Sequence, residues 1–162
     1  MKELKVFIGI ILLAMPLSVF AGYSPAKVQA ALKKMYPQAT DIAWSQQNGY
    51  YVADFISGEL ETDVWFNPQG IWIMTLIDMQ TTDNLPSSVY NSFAMGEYAS
   101  WTVDDVKQAI FPNCPMVYVI KVGQPNVDVL YQLFFLSNGT LIKTFNPGYD
   151  ESTLSPLSFD CW

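Results

Sequence analysis

Three carboxylates on two neighbouring extended segments are the residues best placed to do chemistry: Asp54, Glu61 and Asp63. Gly58-Glu59 reads as a two-residue hairpin loop between segments 50–57 and 60–67. That register sets Asp54 opposite Asp63, with Glu61 one diagonal step away. Like charges facing each other destabilise a sheet. A hard cation such as Ca²⁺ would relieve the repulsion, because it takes oxygen ligands. A solvated acidic face, or a slip in register, would relieve it as well. The alternating Asp/Asn loop with a Gly turn that marks a calcium hand is absent from the sequence. Paired carboxylates also suggest glycoside hydrolysis, but that chemistry needs a deep cleft on a larger scaffold.

Composition narrows the classes further. The chain has 162 residues, enough for one domain or two very small ones. Its cations are 8 Lys with no Arg and no His, against 15 acids, for a net charge of -7. Phosphate contacts need clustered cations, so nucleic acid is excluded as a partner. Without His there is no Ser-His or Cys-His nucleophile, and the commonest metal ligand is missing. Without Arg there are no bidentate clamps. No catalytic residue is assigned. At 51% apolar, 15% aromatic and only 14% charged, the chain must fold around a core.

The elements that would position the acids follow a pattern written twice. A helix starting at Pro25 carries Ala26, Ala30, Leu32 and Met35 at helical spacing, with Ser24 as its cap and Pro37 beyond its end. A second starts at Pro86 and carries Tyr90, Phe93 and Met95, closed by Gly96. A Trp-bearing strand follows each helix, Ile42-Ala43-Trp44 and Ala99-Ser100-Trp101. Three more strands are expected per copy: 50–57, 60–67 and 71–78, then 117–122, 127–136 and 140–146. The turns Asn67-Pro68-Gln69-Gly70 and Ser137-Asn138-Gly139 correspond. Val103–Pro115 reads as an insertion, whose Asp104-Asp105 is a second candidate of the same cation-binding kind, and 147–162 as an irregular tail. The units span 22–82 and 83–146. Each is a helix over an antiparallel four-stranded sheet, an α+β arrangement.

Strand parity sorts the side chains. If Asn67 pairs with Gly70, one face carries Leu60, Thr62, Val64, Phe66, Ile71, Ile73 and Ile77, under the helix. The open face then carries Tyr50, Val52, Asp54, Ile56, Glu61, Asp63, Trp65, Trp72, Met74 and Leu76. Aromatics anchor interfaces, so Tyr50, Trp65 and Trp72, with Phe134 of the second copy, are candidate partner contacts. The alternative is a second core, closed by the other copy or by the tail. Glu59, at the hairpin tip, is a further candidate contact.

Residues 1–21 have the form of an export signal. Lys2 and Lys5 precede the apolar run Val6–Met15, then Pro16 and Val19-Phe20-Ala21, with cleavage expected before Gly22. The run is too short to span about 30 Å of hydrocarbon. The mature protein is expected in the periplasm or outside the cell, with no membrane association after cleavage. Cys114 and Cys161 are an even pair in that oxidising setting. Both a bridge between them and two unpaired thiols fit the spacing.

The Pro-x-x-Val helix start, Tyr36-Pro37, Tyr51-Val52-Ala53-Asp54-Phe55 and Glu61-Thr62-Asp63-Val64-Trp65-Phe66-Asn67-Pro68-Gln69-Gly70 resemble a known family. It is the PepSY-like, β-lactamase-inhibitor-like family of exported bacterial proteins, common in Bacteroidetes. The resemblance covers most of 24–146 and is clearest in the first copy. Its motifs are strands, turns and glycines. It implies the architecture of β-lactamase inhibitor protein, tandem helix-plus-sheet units with an open concave face. It also implies calcium regulation for some members. Fold likeness alone carries no activity. The expected function is an exported, non-enzymatic protein that binds a protein or peptide through the open face. A calcium-responsive protein, or an inhibitor acting through the Gly58-Glu59 tip, are the alternatives.

Overall fold

The computed structural model describes residues 24–147 and 154–159. The expected signal segment 1–21 and Cys161 lie outside them. Helix α1 (Ala26–Met35) precedes strands β1 (Ala43–Gln47), β2 (Tyr50–Ser57), β3 (Leu60–Phe66) and β4 (Trp72–Asp78). Helix α2 (Ser87–Ala94) precedes β5 (Thr102–Ile110), β6 (Val117–Gly123), β7 (Leu130–Leu136) and β8 (Leu141–Phe145). Short 3₁₀ turns lie at Thr82–Asn84 and Pro156–Ser158. All eight strands join one sheet in chain order, each antiparallel to the next. The two four-strand blocks meet where β4 pairs with β5, from Thr75↔Ile110 to Asp78↔Lys107.

Both helices lie on the same sheet face. α1 buries Val28 and Leu32 against Ala53, Phe55, Val64 and Phe66. α2 buries Val89 and Phe93 against Val106, Tyr118, Ile120, Val122, Leu133 and Phe135. Each helix thus presents one i, i+4 pair, the narrowest stripe that two or three turns provide. Ala26, Ala30 and Met35, expected on the buried stripe, are exposed, as are Tyr90 and Met95. Ser24 is not the cap of α1. Pro25 holds that position, and the Ser24 hydroxyl is buried without a hydrogen-bond partner.

The β3–β4 and β7–β8 hairpins are built alike. Gly70 N–H donates to Asn67 O and Gly139 N–H to Leu136 O, at 3.0 and 2.9 Å. Gly70 and Gly139 have φ of +82° and +88°, a region open to glycine. Each glycine presses on the first turn of its helix. A Cβ at Gly70 would lie 2.9 Å from Lys27 O, and one at Gly139 2.5 Å from Ser88 O. Ser88 Oγ also donates to Ser137 O at 2.6 Å.

The second block departs from expectation at its first strand. Ala99-Ser100-Trp101 is a turn, and the supposed insertion after Val103 is the nine-residue strand β5. A bulge between Val103 and Asp105 breaks its alternation. The acidic pair Asp104-Asp105 therefore reads as a loop, although Val106 and Ala109 are fully buried.

Candidate binding face of the sheet

The face opposite the helices has an apolar half and a charged half. Val52, Trp65, Met74, Leu76, Ala109, Val117, Val119 and Phe134 form the apolar floor. Next to it lie Asp54, Glu61, Asp63, Asp78, Asp105 and Lys107, placed by the same alternation.

The β2–β3 hairpin has the register the Gly58-Glu59 loop predicts. Ser57 pairs with Leu60, Val52 with Trp65, and Asp54 with Asp63. Glu61 stands across from Ile56, and both are exposed. Glu59 is exposed at the tip, and its carbonyl accepts a hydrogen bond from Gln80 Nε2 at 3.2 Å.

Asp63 is half-buried. Burial, then the facing Asp54 carboxylate, push its pKa up to about 6, with Glu61 and Asp78 adding to the rise and Lys107 opposing it. Lys107 is engaged elsewhere. Its ammonium donates to Asp78 Oδ2 at 2.8 Å and lies 3.5 Å from Asp105 Oδ1. Burial alone would lower the Lys107 pKa, but Asp78 and Asp105 hold it above the ordinary range. Burial alone would likewise raise Asp78, yet the Lys107 and Gln80 hydrogen bonds bring it below the usual carboxylate value. An open hollow of about 280 Å³ beside the acids is lined by Asp41, Ala43, Asp54, Ile56 and Glu61 among others. Among the described residues, no group of three or more acidic, His or Cys side chains is placed to hold a metal ion. Asp54, Glu61 and Asp63 share a face without converging on one point.

Two of the four expected aromatic anchors are core residues, and Tyr50 and Trp72 are half-buried. Trp65 and Phe134 are each 1% exposed and belong to the core cluster on this face. Tyr50 packs edge-on against Trp65 with ring centroids 6.2 Å apart. Trp72 lies on the other face altogether, packed with the α1 cluster, its indole N–H donating to Thr75 Oγ1 at 3.0 Å. The turn accounts for this. Asn67 N–H donates to Ile71 O, so Asn67 pairs with Ile71 rather than Gly70, and Phe66 meets Trp72. A bulge at Ile73 then restores parity, returning Met74 and Leu76 to the helix-free face and bringing Ile73 with them.

The chain's own C-terminal segment covers the apolar half. Leu154 is buried in the Trp65 cluster. Phe159 packs edge-on against Phe111 and Phe134, with centroids 5.0 and 5.5 Å apart. Lys143 Nζ donates to Ser158 O at 3.0 Å and sits 5.1 Å from the centre of the Phe134 ring. Cys114, on the β5–β6 loop, is disulfide-bonded. The chain has one other cysteine, Cys161, two residues after Phe159.

Sequence reasoning offered Asp105 only as part of a separate acidic pair in an insertion, and it missed Asp78 and Lys107, because β5 read as that insertion and its pairing with β4 was not seen. The period-two order of Asp105, Lys107 and Ala109 on one face, with Val106 on the other, was the available signal. It also missed Leu154 and Phe159, whose apolar side chains in a tail that ends near a cysteine were the sign of a tail packed down.

Residues 49–143 match the family described as "Putative beta-lactamase-inhibitor-like, PepSY-like". Three solved Bacteroides structures are similar. A DUF2874 family protein from Bacteroides ovatus is 47% identical with a TM-score of 0.82, over 85% of this chain and 97% of that one. A "putative periplasmic" protein from Bacteroides eggerthii is 42% identical with a TM-score of 0.75, over 80% and 94%. A BLIP-like protein from Bacteroides fragilis is 35% identical with a TM-score of 0.75, over 82% and 95%. No curated protein matches the chain. No described helix is long and apolar enough to cross a membrane. By the extent of the family match and by these identities, the chain is a member of the PepSY-like, β-lactamase-inhibitor-like family.

Proposed function

We propose that the protein is an exported, non-enzymatic binding protein that holds a protein partner against the charged half of its helix-free sheet face. The observation that carries this reading is the opposition of Asp54 and Asp63, with Lys107, whose charge acts on Asp63, committed to Asp78 and Asp105. Such a pair is unfavourable in the free protein. A lysine or arginine of a partner would relieve it and gain a charge-assisted hydrogen bond. Complementary charge also steers encounter and discriminates between partners. The likeness to BLIP-like and periplasmic relatives supports a binding role outside the cytoplasm. The helix–four-strand order, read twice, supports two units built to one plan, with their sheets merged.

A second reading is favoured by the hairpin tip. Glu59 projects on a two-residue loop held by Gln80, the form of a probe that enters a cleft. In that reading the partner is a periplasmic enzyme and binding inhibits it. The test is common to both. A partner isolated on the intact chain is purified, and its affinity is measured against wild type, Asp54→Lys/Asp63→Lys and Glu59→Lys. Loss of at least tenfold with the Asp pair supports the charged face. Unchanged affinity in that variant overturns it. Loss of the partner's own activity in the complex marks the protein as an inhibitor.

A further inference from the structure

The segment Leu154–Phe159 covers the apolar half of the face without joining the sheet. Its own backbone hydrogen bonds close the 3₁₀ turn, Ser158 N–H to Ser155 O at 2.9 Å among them. Ser155 N–H also donates to Ser158 Oγ at 3.1 Å, so the segment is locally self-contained. Lys143 Nζ ties it to the sheet by donating to Ser158 O. Only Leu154 and Ser155 are buried, while Leu157 is 73% exposed. The fit beneath is incomplete. Trp65 Nε1, in the cluster that Leu154 closes, is buried with no hydrogen-bond partner. A buried donor left unmade is costly, so a better occupant would bring an acceptor to it. The opposite face has its own two helix-packed clusters, so the sheet's helix-side core does not depend on this segment.

We propose that Leu154–Phe159 is a built-in, exchangeable occupant of the face between Trp65 and Phe134. The face takes a short uncharged segment of a protein partner, carrying a leucine and, five residues on, a phenylalanine, with a carbonyl for the Trp65 indole. The tail and the partner's segment compete for one site. This deepens the reading of the helix-free face as the binding face. The charged half selects a cationic partner, and the tail sets the threshold that the partner's apolar segment must exceed. A tethered segment acts at roughly millimolar local concentration, so the wild-type face resists a free segment of equal affinity.

The probe is a fluorescent peptide of residues 152–159, titrated into full-length protein by polarisation. Wild type is compared with Leu154→Asp/Phe159→Asp, which keeps both cysteines and the whole chain. Saturable binding to the variant, at least tenfold tighter than to wild type and lost when the peptide itself carries Phe159→Ala, is expected. Equal or absent binding to both proteins, with native far-UV circular dichroism in the variant, would overturn the proposal. A variant that loses native circular dichroism would also overturn it, by making the segment an indispensable part of the core. No partner enters this test, so its failure leaves the charged-face reading standing. Failure of that reading leaves the exchange measurable.

Discussion

Asp54 and Asp63 face each other across the β2–β3 pairing, and Lys107, whose charge acts on Asp63, is bound to two other carboxylates. Burial first, and then the facing Asp54 carboxylate, raise the Asp63 pKa to about 6 in the folded protein from the ordinary 3.8. The folded state therefore binds a proton more readily than the unfolded state. Stability from this group is fully present below about pH 4 and is lost as pH rises through about 6. After allowance for the half-exposed setting, the loss is on the order of 1–2 kcal/mol. Asp63→Asn should unfold later in urea than wild type at pH 7.5, and should flatten the change between pH 4.5 and 6.5. Equal midpoints for the two proteins at pH 7.5 would contradict the account of Asp63.

Millimolar Ca²⁺ bears on the same pair. A cation seated on Asp54 and Asp63 would raise the melting midpoint by mass action. The carboxylates do not converge on one point, so a partner's cation, and not a metal, is expected to answer them. The predicted result is no Ca²⁺-specific rise over Mg²⁺ or chelator. A rise abolished in Asp54→Asn/Asp63→Asn would put Ca²⁺ in place of the partner's cation.

Lys107 holds the junction of the two strand blocks through Asp78 on β4 and Asp105 on its own strand. Lys107→Met leaves Asp78 and Asp105 without their cation and should cost about 1–2 kcal/mol in urea unfolding at pH 7. The deficit should shrink as pH falls below about 3.8, where protonation of Asp78, held below that value by Lys107, removes the ion pair from the wild type. A deficit independent of pH would assign the lysine a packing role only.

Gly139 combines a positive φ with the Ser88 carbonyl 2.5 Å from where its Cβ would be. Gly139→Ala should destabilise by about 2–4 kcal/mol, combining backbone strain with displacement of α2. Gly58 has φ of +67° but nothing within 4 Å of a Cβ. Gly58→Ala should cost about 1 kcal/mol, the backbone contribution alone. Similar costs at both positions would mean that the turn does not brace the helix.

Much of this architecture was legible in the residues. The tight Gly58-Glu59 loop fixed one register, and with it the Asp54–Asp63 opposition, because a two-residue hairpin leaves no slack. Trp72 was misplaced because Gly70 takes a left-handed conformation that lengthens the loop by one residue, and the slip inverts the side chains up to the bulge at Ile73. Strand β5 was hidden by a bulge at an acidic pair. The burial of Trp65 and Phe134 was least legible. It depends on Leu154 and Phe159, 89 and 25 residues further along the chain, and no local periodicity encodes such a contact.

The disulfide at Cys114 bears on the tail. If Cys161 is its partner, the bond closes a loop of about 48 residues and contributes up to about 4 kcal/mol by loop entropy. Cys114→Ser/Cys161→Ser should lower the melting midpoint and raise hydrogen exchange at Leu154–Phe159 above that of β7. Unchanged exchange there would show that packing alone holds the segment.

Site-specific photo-crosslinking would place the partner on one face or the other. A benzoyl-phenylalanine is installed at Ile56, exposed on the helix-free face, or at Met95, exposed at the end of α2. The protein is expressed in Bacteroides, the genus of its solved relatives. The binding role predicts a discrete light-dependent adduct from position 56, lost with Asp54→Lys/Asp63→Lys, and none from position 95. An adduct from position 95 alone, or none from position 56, would contradict it.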